Sequence, residues 1–484
     1  MALHWAPLPK RPPRRRSALL GLLAALSATF ANQTRADDAP VATDAAASRP
    51  VIEFNRWQED WSVLANPDVP REPLDSLKYI VLSSEDPQTY LSLGADVRER
   101  FESNDAVNFG INGNKAENYL LSRLEADADL RIARQIQVFT QIQSDFAPGK
   151  EVLTPVDQDR LGLEQAFIAV TESMGNGILK VRAGRQQFAF DLQRFVSVRD
   201  GPNVRQSYDA LWADYEIGQW RLISFYSHPV QNRDEHAFDD YSSGHLTYGG
   251  FRVERKLTSF MSLAAYYSHF TQDRVTFAGT AGNERRQIGD VHLSGALHGF
   301  DWDVEGMNQT GSLGEKVIRA WAYGSLGGYT FTEIPWSPRV GLQLDAASGN
   351  KNPSSNELNT FNPLFPNGYY VTLAGYTGYV NFVHIKPSFT VHPLEGMRMV
   401  LAMGFQWRES TADAVYTQPD IPVANTAGHP GSYTGTYRQF RTDWSLSAHA
   451  AVALELVHFA IGDALRAAGG HDGNYVGAEF RYGW

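Results

Sequence analysis

Hydrophobic and polar residues alternate one by one over many separate stretches of this chain. At the C-terminus Val476, Ala478, Phe480, Tyr482 and Trp484 interleave with Gly477, Glu479, Arg481 and Gly483. In 90–101, Leu91, Leu93, Ala95 and Val97 alternate with Ser92, Gly94, Asp96 and Arg98. In 124–131, Leu124, Ala126, Ala128 and Leu130 alternate with Glu125, Asp127, Asp129 and Arg131. The same rhythm recurs at 135–143, 179–184, 339–345 and 397–408. A period of two is that of a β-strand whose faces meet different surroundings. Strands of roughly 10 residues, apolar on one face and charged on the other, fit a tilted crossing of an outer membrane.

The N-terminus adds a location. Lys10, Arg11, Arg14, Arg15 and Arg16 precede a short uncharged apolar run over 18–30, and Thr34-Arg35-Ala36 supplies the small residues of a cleavage site. The pattern predicts a secretory signal peptide over 1–36, with the mature chain starting at Asp37. Residues 37–88 lack strand period and read as a lead-in. The barrel is expected over 89–484. The roughly 448 residues after the leader, at about 25 per strand with its connection, predict an all-β transmembrane antiparallel barrel of 16–18 strands, 18 preferred. The lumen of such a barrel is wide enough for water. Proline-, asparagine- and glycine-rich stretches at 348–369 and 416–437, and the acidic stretch 232–243, are its expected long loops, some folded inward.

Composition narrows the classes. There is no uncharged apolar run of helical-span length, while 12% of residues are aromatic and 41 are glycine, which suits girdles outside and small residues inside. No cysteine is present, so disulfides, thiol catalysis and Cys-based metal sites are excluded. A net charge of −11 argues against nucleic acid as a partner. His228, His236 and His245 lie near the acidic stretch without metal-ligand spacing, and no G-x-S-x-G elbow is found. Neither a metal, a cofactor nor an enzymatic activity is expected.

Several segments resemble alginate-export-type outer-membrane proteins. They are Arg56-Trp57-Gln58-Glu59-Asp60-Trp61, Asp75-Ser76-Leu77-Lys78-Tyr79-Ile80 and Tyr90-Leu91-Ser92-Leu93-Gly94-Ala95-Asp96-Val97-Arg98-Glu99-Arg100. More specific are Ala183-Gly184-Arg185-Gln186-Gln187, the stretch from Arg199 to Asp209, and Phe361-Asn362-Pro363-Leu364-Phe365-Pro366. The resemblance implies an 18-stranded barrel with an electropositive lumen that passes an anionic polysaccharide.

The residues themselves suggest a path. Arg98, Arg100, Arg131, Lys180, Arg182 and Arg185 are expected on the lumen face, with Arg123 and Arg205 near strand ends or turns. Guanidinium groups suit carboxylates, and a row of weak sites lets a uronate chain move on. Asp96, Glu125, Asp127, Asp129 and Asp214 are their expected acidic partners. The same residues also suit a lattice that only stiffens the wall. Phe480, Tyr482 and Trp484 are expected as lipid-facing assembly anchors, with Trp484 at the periplasmic rim. The expected partners are an anionic polysaccharide or other anionic solute, outer-membrane lipid, the barrel-assembly machinery and periplasmic export components. A diffusion porin for small solutes is the first alternative, and a barrel enzyme or structural envelope protein the second.

Overall fold

The computed structural model describes residues 49–484. The predicted signal peptide and the first residues of the lead-in lie outside the described residues.

The alternating stretches pair in sequence order into one closed antiparallel sheet of 18 long strands. We number them β1 (Tyr90–Asn104), β2 (Glu117–Ile132), β3 (Ile136–Phe146), β4 (Asp159–Met174), β5 (Gly177–Gln186), β6 (Tyr208–Ile217), β7 (Trp220–Pro229), β8 (Leu246–Thr258) and β9 (Met261–Phe277). The second half comprises β10 (Thr280–Leu297), β11 (Phe300–Leu313), β12 (Lys316–Thr330), β13 (Arg339–Ala347), β14 (Phe382–Val391), β15 (Met397–Trp407), β16 (Tyr433–Ser445), β17 (Ala450–Ile461) and β18 (Gly473–Gly483). Closure runs from Asp96 opposite Gly483 to Asn104 opposite Tyr475. Ala95 and Trp484 then exchange backbone hydrogen bonds of 3.1 and 2.9 Å. No edge is left to pair with another chain.

Parity sets the two faces. On β18, Val476, Phe480 and Tyr482 are exposed outward while Tyr475 and Glu479 are buried inward. On β15, Leu401 is outward and Gln406 inward. In lipid the outward apolar face is favoured, and the ladders pair the backbone groups along most of each strand, with a gap between Ile385 and Ser388 on the β15 side of β14. No helix among the described residues is long and apolar enough to cross a membrane.

Both ends of the barrel lie on the side of the short turns, such as 175–176, 218–219 and 298–299. On the other side are the long connections 105–116, 147–158, 187–207, 230–245, 348–381 and 408–432. The predicted loop at 416–437 therefore runs five residues too far, because β16 begins at Tyr433.

Two features go beyond the expectation: the inward folding foreseen for some of the long loops also takes in 187–207, and Trp484 is placed differently. The lumen is not simply aqueous. Connections 187–207 and 348–381 fold inward, and Phe188, Phe190, Phe195, Phe361, Phe365 and Tyr379 pack there with Tyr208, Trp212, Phe225 and Tyr248 of the wall. Such rings bury large area and exclude water from that sector. The Trp484 ring also differs. Its Nε1 is buried, and the Lys78 ammonium sits 5.2 Å above the ring. The terminal aromatic thus seats the lead-in at the rim, while Phe480 and Tyr482 keep the outward face.

Candidate functional site

Three chain segments meet inside the barrel: the lead-in, the connection 187–207 and the connection 348–381. Each is held by charged side chains of the wall.

The lead-in forms two 3₁₀ turns, Arg56–Gln58 and Trp61–Ala65, and a short helix, Asp75–Lys78. Asp60 caps the second turn by accepting from the Ser62 N–H at 3.0 Å. Arg56 donates to Asp96 of β1 at 2.5 Å and to the Trp484 carbonyl at 2.7 Å, and pairs with Glu59 at 2.6 Å. Arg131 donates to the carbonyls of Trp57 and Glu59 at 2.7 and 3.0 Å. Lys180 and Arg182 face the Trp57 ring at 4.5 and 4.3 Å, and Arg205 faces Phe54 at 4.5 Å. These cation–π contacts are stronger away from water. Burial, followed by the nearby Arg56 charge, pushes the Lys78 ammonium down to about 8.

The connection 187–207 is anchored by its backbone. Arg98 donates to the carbonyls of Asp200, Gly201 and Pro202 at 2.9, 3.1 and 3.3 Å. Arg123 reaches the Asn203 and Pro202 carbonyls at 2.7 and 2.8 Å and the Asp200 carboxylate at 2.7 Å. Arg205 and Arg481 also bind Asp200, at 2.9 and 2.7 Å. Burial alone would raise the Asp200 carboxyl. The surrounding guanidinium groups, Arg481 first, outweigh it and hold that carboxyl well below the usual range.

The connection 348–381 brings Tyr369 over Arg100, 4.9 Å from ring centre to guanidinium carbon. Tyr369 Oη donates to the Gly201 carbonyl at 3.1 Å. Between these three segments and the wall lies a cavity of about 100 Å³, bordered by Phe54, Tyr369, Asp200, Arg100, Arg441 and Arg481, with Glu479 behind them. The more accessible guanidinium groups on it are Arg481 and Arg441, with side chains 32% and 24% exposed. Arg100 is enclosed, donating to Glu102, Glu455, Glu479 and Tyr475.

The positions expected from sequence are placed as follows. Arg98, Arg100, Arg123, Arg131, Lys180, Arg182 and Arg205 all face inward. So do the acids: Asp96 meets Arg56, Glu125 meets Arg205 at 2.8 Å, Asp129 meets Arg131 at 2.8 Å, and Asp214 meets Arg221 at 2.5 Å. Asp127 lies inside against Gly94. Arg123 is not near a strand end. It is mid-strand in β2 and fully buried. Arg185 is a correction. Three residues beyond inward Arg182, with the pairing register unbroken, it falls on the opposite face, where it pairs with its register partner Asp209 at 2.8 Å. His228, His236 and His245 bind separate groups and do not converge.

Phe54, Asp200, Tyr369, Arg441 and Arg481 were not among the expected path residues. Arg481 was legible as the polar face of the last strand. Arg441 lay just beyond the stretch read as loop.

The alginate-export family model matches residues 89–479. The chain belongs to the alginate-export family. It is an outer-membrane barrel channel of a Gram-negative envelope. A search of curated proteins found no match. Solved structures share the fold at low identity. Pseudomonas aeruginosa OccK2 (OpdF), crystallised in complex with glucuronate, is 12% identical, with 81% of this chain and 97% of that chain covered and a TM-score of 0.53. P. aeruginosa OccD3 (OpdP) is 11% identical over 81% and 91%, with a TM-score of 0.55. A BenF-like porin from Pseudomonas fluorescens Pf-5 is 10% identical over 81% and 99%, with a TM-score of 0.54.

Proposed function

We propose that this family member conducts anionic solutes of the uronate class, and that the cavity beside Arg441, Arg481 and Tyr369 is where they are selected. The observation that carries this reading is the pairing of two partly accessible guanidinium groups with an aromatic ring in one small enclosed space. Guanidinium is a planar donor for carboxylate. A tyrosine ring offers a flat surface to a sugar face. A space of about 100 Å³ holds a few waters, which a solute carboxylate and its neighbouring hydroxyls replace.

The buried cations have a different role in this reading. Arg98, Arg123, Arg182 and Arg205 are enclosed by backbone carbonyls, aromatic rings and carboxylates of the protein, whereas Arg441 and Arg481, though paired with Asp443, Glu455, Glu479 and Asp200, keep part of their side chains exposed. The enclosed four fix the inward segments, and through these the shape of the path. Their charge still reaches the cavity, because the surrounding wall screens poorly. The glucuronate complex of OccK2 supports the class of solute.

The family match favours a second reading, export of an anionic polymer. A polymer needs a continuous path, and the lead-in and both inward connections occupy the lumen. On this reading the lead-in must leave its seat first.

Single-channel recording separates the two. Glucuronate at millimolar levels is expected to block chloride current reversibly in the full mature chain. Block by oligouronates from the periplasmic side but none by the monomer would favour polymer export. Absence of block by either overturns the anionic reading.

A further inference from the structure

Away from the cavity, three carboxylates converge where the connection 187–207 meets the wall. They are Asp191 of that connection, Asp290 of β10 and Glu305 of β11, and one oxygen of each lies within 4.8 Å of the others. Two of the three are already neutralised. Arg252 grips Asp191 with both terminal nitrogens at 2.7 and 2.5 Å, and His292 Nδ1 adds a contact at 2.7 Å. Arg194 donates to Glu305 and to neighbouring Asp303 at 2.7 Å each, and His292 Nε2 reaches Asp303 at 2.7 Å. Three cations thus serve Asp191, Asp303 and Glu305.

Asp290 stands apart. It is 3% exposed, and both of its carboxylate oxygens are buried without a hydrogen-bond partner. A bare buried carboxylate is costly unless a positive group joins it. The oxygens it faces are those of Asp191 and Glu305, so the missing charge belongs between them.

From this geometry we propose a cation site formed by Asp191, Asp290 and Glu305, fitted to a hard divalent ion, calcium in particular. The donors are all oxygen, as calcium requires. Calcium–oxygen distances of about 2.3–2.6 Å put opposite ligands about 5 Å apart, close to the spread found here. Magnesium, at about 2.0–2.1 Å, needs a tighter set. The ion joins the inward connection to β10 and β11 at Asp191, a residue held at a positive φ of 52°. It therefore acts as a clip on the segment that carries Asp200 and Gly201.

The test uses the full mature chain, refolded from denaturant without lipopolysaccharide, stripped of metal by chelation, and titrated with calcium chloride by calorimetry in detergent. The expected result is one calcium per chain, with the dissociation constant raised at least tenfold in Asp290→Asn and in Glu305→Gln. Thermal unfolding of the wild type is expected to rise with calcium, and that of Asp290→Asn to ignore it. No calcium uptake by the metal-free wild type overturns the proposal, and so does equal uptake by Asp290→Asn. A calcium-indifferent wild type that is less stable than Asp290→Asn also overturns it, because Asp290 is then neutralised by a proton. If Asp290→Asn does not refold, the wild-type titration alone decides.

Discussion

Gly201 and Tyr369 are packed so closely that a Cβ on Gly201 would lie 2.6 Å from Tyr369 Cε2. The first belongs to the connection 187–207 and the second to 348–381. The two segments also share backbone hydrogen bonds between 193–197 and 365–367, and the Gly201–Tyr369 contact is where they meet over Arg100.

That contact yields the first prediction. Gly201→Ala must displace the tyrosine ring, since backbone φ at Gly201 is not in the left-handed region and the obstacle is space alone. Overpacking of this kind costs about 1–3 kcal/mol. The variant is expected to insert normally and to show altered single-channel conductance and weaker glucuronate block. Pairing it with Tyr369→Ala, which restores room, should recover conductance but not block.

The lead-in is expected to obstruct the lumen from the periplasmic side. Deleting residues 49–65 removes Phe54 and Trp57 and leaves every strand pairing of the barrel in place. Conductance should rise by about twofold or more, as a channel's current follows what lines its pore. Unchanged conductance in the deletion would show that ions bypass this segment.

Seating of the lead-in should depend on alkaline pH through Lys78. Its folded value is lowered to about 8 from an ordinary 10.5, so the folded state holds fewer protons between those values. Stability of the seat therefore rises with pH across about 8 to 10.5, and the cost of burying the charge is fully present below 8. Hydrogen exchange over residues 56–65, corrected for intrinsic rate, should slow across that window in the wild type. In Lys78→Met the same segment should be protected throughout, with no such pH dependence.

Much of this architecture was legible in the sequence. The alternation at 124–131 assigned Glu125, Asp127, Asp129 and Arg131 to one face, and the structure puts all four inside. Parity also held the answer for Arg185, because it lies an odd number of positions from Arg182. Grouping the two by charge hid that. Some inward folding of the long loops was expected, 348–369 among the candidates, but the inward connection 187–207 was hidden for another reason. Arg98 donates to the Gly201 carbonyl across 103 residues of chain, and a backbone acceptor leaves no side-chain signature. Arg441 was obscured by the glycines and prolines just before it, which extended the loop reading into β16.

The outward face sets a separate expectation. Leu401 sits mid-strand on β15 and is 56% exposed. Replacing it by Arg places charge against lipid and should destabilise the barrel by about 2–4 kcal/mol in a vesicle refolding equilibrium. Deleting Phe480–Trp484 should impair insertion more severely, since it removes the β18 half of the closing ladder opposite Asp96–Glu99. Heat-modifiable migration of the truncated chain from outer membranes reports the outcome.

The central claim is that accessible guanidinium groups at one lumen cavity select anions. Reversal potential under a tenfold KCl gradient, compared between wild type and Arg441→Gln/Arg481→Gln, tests it most directly. The wild type should prefer chloride, and the double variant should move toward potassium by a shift that shrinks as total salt rises. An unshifted reversal potential in a variant of normal heat-modifiability would show that these arginines only brace the wall.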